Sequence, residues 1–159
     1  IMKLSNNHSK VLLLGAGGAA RGVLLPLLAQ EPRKVVIANR TLSKAEKICH
    51  QFADKRLTAL SYPDVTNQQF DIIINATSAS LAGNLPPIPH DIINNEVVCY
   101  DMMYGKQDTA FMSWAKIHGA NKVIDGLGML VGQAAASFYV WRGVTPEVKP
   151  VIDQLRKAL

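Results

Sequence analysis

The stretch that decides the fold is Val11-Leu12-Leu13-Leu14-Gly15-Ala16-Gly17-Gly18-Ala19-Ala20. Its apolar run predicts a buried strand, and the glycines that follow predict a tight turn into a helix. The spacing matches the G-x-G-x-x-A pattern, with Gly15, Gly17 and Ala20 at the three small positions. Because backbone N–H groups at the start of a helix bind anions, the stretch predicts a site for the pyrophosphate of a dinucleotide. A purely structural glycine turn is the alternative.

A group of polar residues at the end of the second predicted strand indicates which dinucleotide binds. This group is Asn39-Arg40-Thr41, with Ser43 and Lys44 just beyond it. An NAD enzyme would place Asp or Glu here to bind the ribose 2′-hydroxyl. A carboxylate would repel a 2′-phosphate, whereas a guanidinium with a nearby ammonium group would bind it. The residues therefore predict NADP, and a solvated Arg40 and Lys44 with no ligand are the alternative.

Predicted strands and helices alternate along the chain. Strands are predicted at residues 10–14, 34–39, 57–61, 70–75, 97–101 and 123–124, and helices at residues 17–30, from 43, 109–118, 128–142 and from 146 to the C-terminus. Ser43 with Glu46 predicts a capping box, and Thr145 with Pro146 predicts the start of the last helix. The alternation predicts an α/β fold: a doubly wound, Rossmann-type parallel sheet of about six strands with helices on both faces.

Composition narrows the class of protein. The chain has 159 residues and a net charge of +5, which fits one domain. It has no basic run interleaved with aromatic residues, no apolar run of the ~20 residues that cross a membrane, and no signal-peptide pattern. We therefore expect no nucleic-acid partner, no membrane partner and a cytoplasmic location. The four histidines lack ligand spacing, which predicts no metal, and Cys49 and Cys99 are expected to be free thiols.

Ligands of doubly wound sheets bind at the carboxyl ends of the strands, so the residues there are candidates. Asn75-Ala76-Thr77-Ser78 suits the ribose of a nicotinamide, although a simple turn explains it equally well. Met102 has a soft side chain that can lie against a nicotinamide ring, and Tyr104 offers a hydroxyl to a polyol substrate. Gln133 lies in an apolar helical segment, where a ligand contact and a core glutamine satisfied by backbone are both open.

Five motifs in this order resemble one family. They are Gly-Ala-Gly-Gly-Ala-Ala-Arg, Asn-Arg-Thr-Leu-Ser-Lys, Asn-Ala-Thr-Ser, Tyr-Asp-Met-Met-Tyr and Asp-Gly-Leu-Gly-Met-Leu-Val-Gly-Gln-Ala. Together they are similar to the NADP-binding domain of the shikimate dehydrogenases. The resemblance implies an oxidoreductase that reduces 3-dehydroshikimate to shikimate with NADPH, in chorismate and aromatic amino-acid biosynthesis. Ser80 and Gly105-Lys106 depart from the family pattern and affect the expected shape of two loops.

The resemblance also implies roles for individual residues. The pyrophosphate would be bound by Gly15, Ala16, Gly17, Gly18 and Ala19. Adenosine and its 2′-phosphate would be bound by Asn39, Arg40, Thr41, Ser43 and Lys44, and the nicotinamide end by Met102 and Gly126. Asn75 and Thr77 remain candidates for the nicotinamide ribose from their place at the strand end. Tyr104 and Gln133 would reach the substrate from the cofactor side.

The family carries a catalytic Lys–Asp pair on an N-terminal substrate domain, and no match to it is found here. We therefore expect residues 1–159 to be the NADP-binding domain alone, with no catalytic residue in this chain and no turnover by it. Residues 129–141 are apolar around most of a helix and are expected to contact the absent domain, with a homodimer left open. Two alternatives remain: a quinate/shikimate dehydrogenase that uses NAD, and a stand-alone nucleotide-binding module without catalysis.

Overall fold

The computed structural model describes residues 8–159, apart from the side chains of residues 80 and 81. Its strands are β1 (Lys10–Leu14), β2 (Lys34–Ala38), β3 (Leu57–Leu60), β4 (Ile72–Asn75), β5 (Val98–Asp101) and β6 (Lys122–Ile124). Its α-helices are α1 (Gly18–Leu28), α2 (Leu42–Phe52), α3 (Ala110–Ile117), α4 (Leu127–Arg142) and α5 (Lys149–Ala158). Short 3₁₀ turns lie at Pro63–Val65, Ala79–Ala82 and His90–Ile92.

The six strands form one parallel sheet in the order β3-β2-β1-β4-β5-β6. This is the doubly wound order, and the predicted fold is confirmed. The direction of winding reverses between β1 and β4, whose register pairs Leu14 with Asn75. Ligands of such sheets bind outside the carboxyl ends of the strands at this reversal. The sheet therefore positions the turn after β1 beside the loop after β4.

Alternate residues of β1 belong to two cores, one on each face of the sheet. Leu12 packs in one core with Phe111 of α3, and Leu13 packs in the other with Leu24 of α1 and Ile48 of α2. All five of these side chains are fully buried. A strand covered on both faces has a continuous apolar run, which is why residues 11–14 are all aliphatic.

Two predicted helix starts are wrong. The helix α2 begins at Leu42 after Thr41, which makes no side-chain cap, so Ser43 lies inside the helix and no capping box forms with Glu46. The helix α5 begins at Lys149 rather than near Pro146. A helix from Pro146 would put the Pro150 ring against the carbonyl four residues back, whereas Pro150 fits the first turn of the observed helix.

The apolar helix α4 is largely uncovered within the described chain. Only Leu127 and Val131 of its side chains are buried, whereas Val140 and Trp141 are 78% and 77% exposed. The helix ends at Gly143, whose φ of 69° is the left-handed conformation usual at a helix end. Residues 129–141, which are expected to contact another domain, therefore leave large apolar side chains exposed in the described chain. No helix among residues 8–159 is both long and apolar enough to span a membrane.

Candidate dinucleotide-binding site

A cleft of about 650 Å³ opens at the carboxyl ends of the central strands. It is bordered by the turn after β1, the ends of β2 and β3, and the loops after β4 and β5. Its lining residues are Gly15, Ala16, Gly17, Gly18, Ala19, Asn39, Arg40, Tyr62, Ala76, Thr77, Ser78, Ala79, Asn84, Leu85, Pro86, Pro87, Met102 and Met103. All five residues predicted to bind the pyrophosphate therefore lie in one cleft.

Gly15 is required by the geometry of the turn. Its φ is +105°, and a Cβ there would lie 3.1 Å from Thr77 Cγ2 and 3.2 Å from the Ala76 carbonyl oxygen. Its amide donates to the Ala38 carbonyl at 2.8 Å. The turn thus leaves β1 in a conformation that favours glycine and passes directly over the loop after β4.

The start of α1 provides open space for an anion. Gly17 precedes the helix, and a Cβ at either Gly17 or Gly18 would meet nothing within 4 Å. The first turn of α1 contains no acidic side chain. Because the first N–H groups of a helix lack partners within it, this end of the cleft fits a pyrophosphate.

The end of β2 supplies a cation to the cleft. Arg40 is exposed and lines the cleft, and among the ion pairs of residues 8–159 none involves its guanidinium. The Asn39 side-chain amide donates to the Thr41 carbonyl at 2.8 Å, which closes the loop that carries Arg40. Thr41, which precedes α2, and Ser43 and Lys44 on its first turn are exposed and do not line the cleft. The structure therefore brings Asn39 and Arg40 to the site and leaves the other three beside it.

A buried polar network lies beneath the cleft at the ends of β4 and β5. Asn75 and Asp101 are both fully buried, and the Asn75 amide donates to Asp101 Oδ1 at 3.2 Å. The hydroxyl and amide of Thr77 donate to Asn75 Oδ1 at 2.7 and 3.2 Å. Asp101 also accepts from the Met103 amide at 3.0 Å and from the Thr109 hydroxyl. Asn75 therefore positions Thr77 in the cleft wall without lining the cleft itself.

Gly126 fixes the segment that carries Met102. A Cβ on Gly126 would lie 2.1 Å from the Met102 carbonyl oxygen and 2.6 Å from its carbonyl carbon. The Gly126 amide donates to the Met103 carbonyl at 3.0 Å, and the Met102 amide donates to the Asn75 carbonyl at 3.0 Å. Met102 lines the cleft, whereas Gly126 is buried behind it. The two predicted nicotinamide residues are thus in direct contact.

The two predicted substrate residues lie outside the lining of the cleft. Tyr104 is 38% exposed in the loop after β5, and Gln133 is exposed on α4. The last helix does not bury Gln133, so the alternative of a core glutamine is wrong.

Sequence reasoning missed part of the cleft wall. Tyr62 and Met103 line it, together with the loop residues Asn84, Leu85, Pro86 and Pro87. Tyr62 follows the end of β3, so the rule that singled out the other strand ends would have identified it. The proline loop carries no comparable signal, because its approach to the cleft depends on the path of the chain after β4.

The helix α5 is attached to the sheet by an ion pair. The Arg156 guanidinium donates to both carboxylate oxygens of Asp125, at 2.6 and 2.8 Å, and the Leu127 amide also donates to Asp125. The hydrogen bonds from Arg156 hold the pKa of Asp125 below its usual range, although burial of Asp125 opposes this shift.

We expect this pair to stabilise the fold at neutral pH and to lose its effect in acid. Because the pKa of Asp125 is lowered in the folded state, its contribution is present above the unfolded value of about 3.9 and is lost as the pH falls through the folded value. Arg156 is half exposed, so Arg156→Gln should cost less than about 1 kcal/mol at pH 7. Urea unfolding of the unaltered chain and of the Arg156→Gln chain at several pH values measures the difference in their free energies of unfolding. Lys149→Gln, which removes an exposed cation from α5, is the control, and a cost of Arg156→Gln that does not change with pH would contradict the prediction.

The sequence matches two family models and several curated relatives. Residues 2–83 match the family model "Shikimate / quinate 5-dehydrogenase", and residues 126–156 match "Shikimate 5'-dehydrogenase C-terminal domain". A shikimate dehydrogenase (NADP(+)) of Colwellia psychrerythraea is 70% identical over 157 residues, which cover 99% of this chain and 57% of that protein.

Solved structures show the same likeness. An Ael1 enzyme from Pseudomonas putida superposes with a TM-score of 0.89 at 47% identity, over 94% of this chain and 55% of that one. A shikimate dehydrogenase in complex with NADP+ superposes with a TM-score of 0.74 at 30% identity, over 93% and 54% of the two chains. The chain thus spans a little more than half the length of the proteins that it matches.

Proposed function

Because the chain belongs to the shikimate / quinate 5-dehydrogenase family, we propose that it binds NADP and forms the cofactor-binding part of an enzyme that interconverts 3-dehydroshikimate and shikimate. Such an enzyme serves chorismate and aromatic amino-acid biosynthesis in the cytoplasm. The observation that carries the proposal is the cleft itself, in which the start of α1 and Arg40 border one continuous space. The name of the Colwellia relative, which includes NADP(+), supports the same cofactor.

The proposed roles divide the cleft along its length. Residues 15–19 bind the pyrophosphate, and residues 39–44 bind adenosine and its 2′-phosphate. Thr77, held by Asn75, contacts the ribose at the nicotinamide end, and Met102, held by Gly126, lies against the nicotinamide. When bound, NADPH supplies the hydride. Tyr104 and Gln133 are proposed to contact the substrate where it meets the cofactor.

Reduction of a ketone also requires a proton donor, and the cleft offers no good candidate. Among its described lining residues, only Arg40 and Tyr62 have titratable side chains. Burial raises the pKa of Tyr62, although the charge and the backbone of Arg40 oppose the shift. We therefore propose that the acid–base pair belongs to a substrate domain outside residues 1–159. The exposed face of α4 is the surface proposed to contact that domain, or a second copy when the domain is absent.

We expect the chain to bind NADP+ more tightly than NAD+, and Arg40→Ala to remove most of this preference. A charge-assisted contact to phosphate contributes about 1.5–3 kcal/mol, which is roughly a 10- to 100-fold change in Kd. Calorimetric titration of both cofactors measures the ratio of their Kd values. The ionic strength must be the same in both titrations, because salt screens exposed charges.

Lys47→Ala is the matched control for this titration. It removes the same charge from an exposed position of α2 that does not line the cleft, so the preference for NADP+ should persist. Equal affinities of the unaltered chain for NADP+ and NAD+ would contradict the proposed cofactor. If Arg40→Ala and Lys47→Ala reduced the preference for NADP+ by the same factor, the role proposed for Arg40 would be contradicted.

A further inference from the structure

Thr109 lies outside the lining of the cleft, at one end of a chain of hydrogen bonds that reaches it. The residue is partly buried and directly precedes α3. Its hydroxyl oxygen accepts from the Met112 amide at 3.2 Å and thereby caps the helix. The same hydroxyl donates to Asp101 Oδ2 at the end of β5. One side-chain group therefore ties the start of a helix to the end of a central strand.

The chain of hydrogen bonds continues from Asp101 to two walls of the cleft. Asp101 Oδ1 accepts from the Met103 amide at 3.0 Å and from the Asn75 side-chain amide at 3.2 Å. Asn75 Oδ1 in turn accepts from the Thr77 hydroxyl at 2.7 Å. Met103 and Thr77 both line the cleft, the first in the loop after β5 and the second in the loop after β4. The orientation of one buried carboxylate thus affects both loops.

The loop between Asp101 and Thr109 has few other restraints. Its residues 104–108 belong to no helix or strand, and within residues 8–159 they take part in no backbone–backbone hydrogen bond. Most of them border a second, open cavity of about 330 Å³. Asp108 pairs with Lys116 on the surface, where an ion pair contributes little. The position of this loop therefore depends on the hydrogen bonds at its two ends.

We propose that Thr109 is a positioning residue for the nicotinamide end of the cofactor, whose hydroxyl orients the Asp101 carboxylate that holds both walls of the cleft there. This inference rests on the proposed NADP site, in which Thr77 and Met102 contact that end. The adenosine end is assigned to residues 39–44, and β1 separates their strand from β4 and β5. Loss of the Thr109 hydroxyl therefore weakens binding of the whole cofactor and spares binding of its adenosine half.

The test is Thr109→Val, which removes the hydroxyl and keeps the shape of the side chain. Two ligands are titrated by calorimetry at the same ionic strength. One is NADP+, and the other is adenosine 2′,5′-bisphosphate, which carries the 2′-phosphate but no nicotinamide. From the usual contribution of one hydrogen bond, the Kd for NADP+ should rise roughly 3- to 10-fold, while the Kd for the bisphosphate changes less than about twofold.

Three further variants complete the series. Thr109→Ser keeps the hydroxyl and should bind both ligands as the unaltered chain does. Thr109→Cys has a thiol, which is a weaker donor, so it should raise the Kd for NADP+ by a smaller factor, and it replaces Thr109→Val in the comparison if that chain does not fold. Thr66→Val is the matched control, because the Thr66 hydroxyl also donates to an aspartate, Asp91, at 2.7 Å, but neither residue lines the cleft. This control should leave both constants unchanged.

A double substitution tests whether Thr109 acts through the chain of hydrogen bonds. Thr77→Val removes the hydroxyl at the other end of the chain, so in that background Thr109→Val should raise the Kd for NADP+ by a smaller factor than it does alone. Equal factors in the two backgrounds would overturn the inference and leave the proposed function intact.

The two ligands separate the inference from the proposed function. An equal loss of affinity for NADP+ and the bisphosphate in Thr109→Val, or no loss for either, would overturn the inference alone. An unaltered chain that binds NADP+ no more tightly than the bisphosphate would also overturn it, because the nicotinamide end would then add no affinity. An unaltered chain that binds neither ligand would overturn the proposed function as well.

Discussion

Gly126→Ala is expected to cost about 3 kcal/mol or more of the free energy of unfolding, and to weaken NADPH binding in the chain that still folds. The added Cβ would lie 2.1 Å from the Met102 carbonyl oxygen and 2.6 Å from its carbon. These are backbone atoms, so no side-chain rotation relieves the overlap. The loop after β5 must move instead, which breaks the hydrogen bond from the Gly126 amide to the Met103 carbonyl. Urea unfolding and calorimetric titration of NADPH measure the two effects.

Gly132→Ala is the control for this substitution, and it should have the opposite sign. Gly132 lies inside α4, and a Cβ there would meet nothing within 4 Å. Alanine in an exposed helix interior is more stable than glycine by about 0.5–1 kcal/mol, so this chain should unfold at a higher urea concentration. Equal stabilities of the Gly126→Ala and Gly132→Ala chains would show that the loop after β5 is not fixed by Gly126.

Asp101→Ala is the second substitution with a large expected effect. Asp101 is fully buried and accepts hydrogen bonds from the Asn75 side chain, the Met103 amide and the Thr109 hydroxyl. Each buried donor left without an acceptor costs about 1–3 kcal/mol, so we expect a total loss of about 3 kcal/mol or more. The loss should also disturb Thr77 in the cleft, because the Asn75 side chain that positions it would lose a partner.

Two further variants test whether the loss of stability in Asp101→Ala comes from the buried hydrogen bonds that Asp101 accepts. Asp101→Asn has nearly the same shape and keeps one acceptor oxygen, so it should cost less than the alanine variant. Asp153→Ala removes an exposed carboxylate on α5 and should change the free energy of unfolding by less than about 0.5 kcal/mol. An Asp101→Ala chain as stable as Asp153→Ala would contradict the role given to the buried network.

Features that depend on nearby residues could be predicted from the sequence. The aliphatic run of β1 and the glycines after it specify a buried strand, a turn and a helix within a few residues of each other. Gly15 was expected to permit a tight turn, and its φ of +105° confirms this. The same reasoning placed Asn39 and Arg40 at the end of β2, where the structure has them. The part played by Gly17 in the approach of phosphate remains a prediction.

Features that depend on residues distant in the sequence were not predicted. The requirement for glycine at position 126 arises from the Met102 backbone, which only the pairing of β5 with β6 brings alongside. Tyr62 follows the end of β3, so the strand-end rule covers its position, but it reaches the cleft only because β3 lies beside β2. The predicted start of α5 is too early because Pro146 and Pro150 both fit a first turn, and only a start close to Pro150 accommodates the second proline.

The strand order has a consequence for how the chain acquires its structure during synthesis. Strands β1, β2 and β3 pair with neighbours that are close in sequence, so they can assemble as soon as they leave the ribosome. Strand β4 must return across the whole of that unit to pair with the other edge of β1. Pairings between distant segments form slowly, because the entropy of closing a long loop is lost before contacts compensate for it. The cleft, which borders β1 and β4, is thus completed only when the slow pairing has formed.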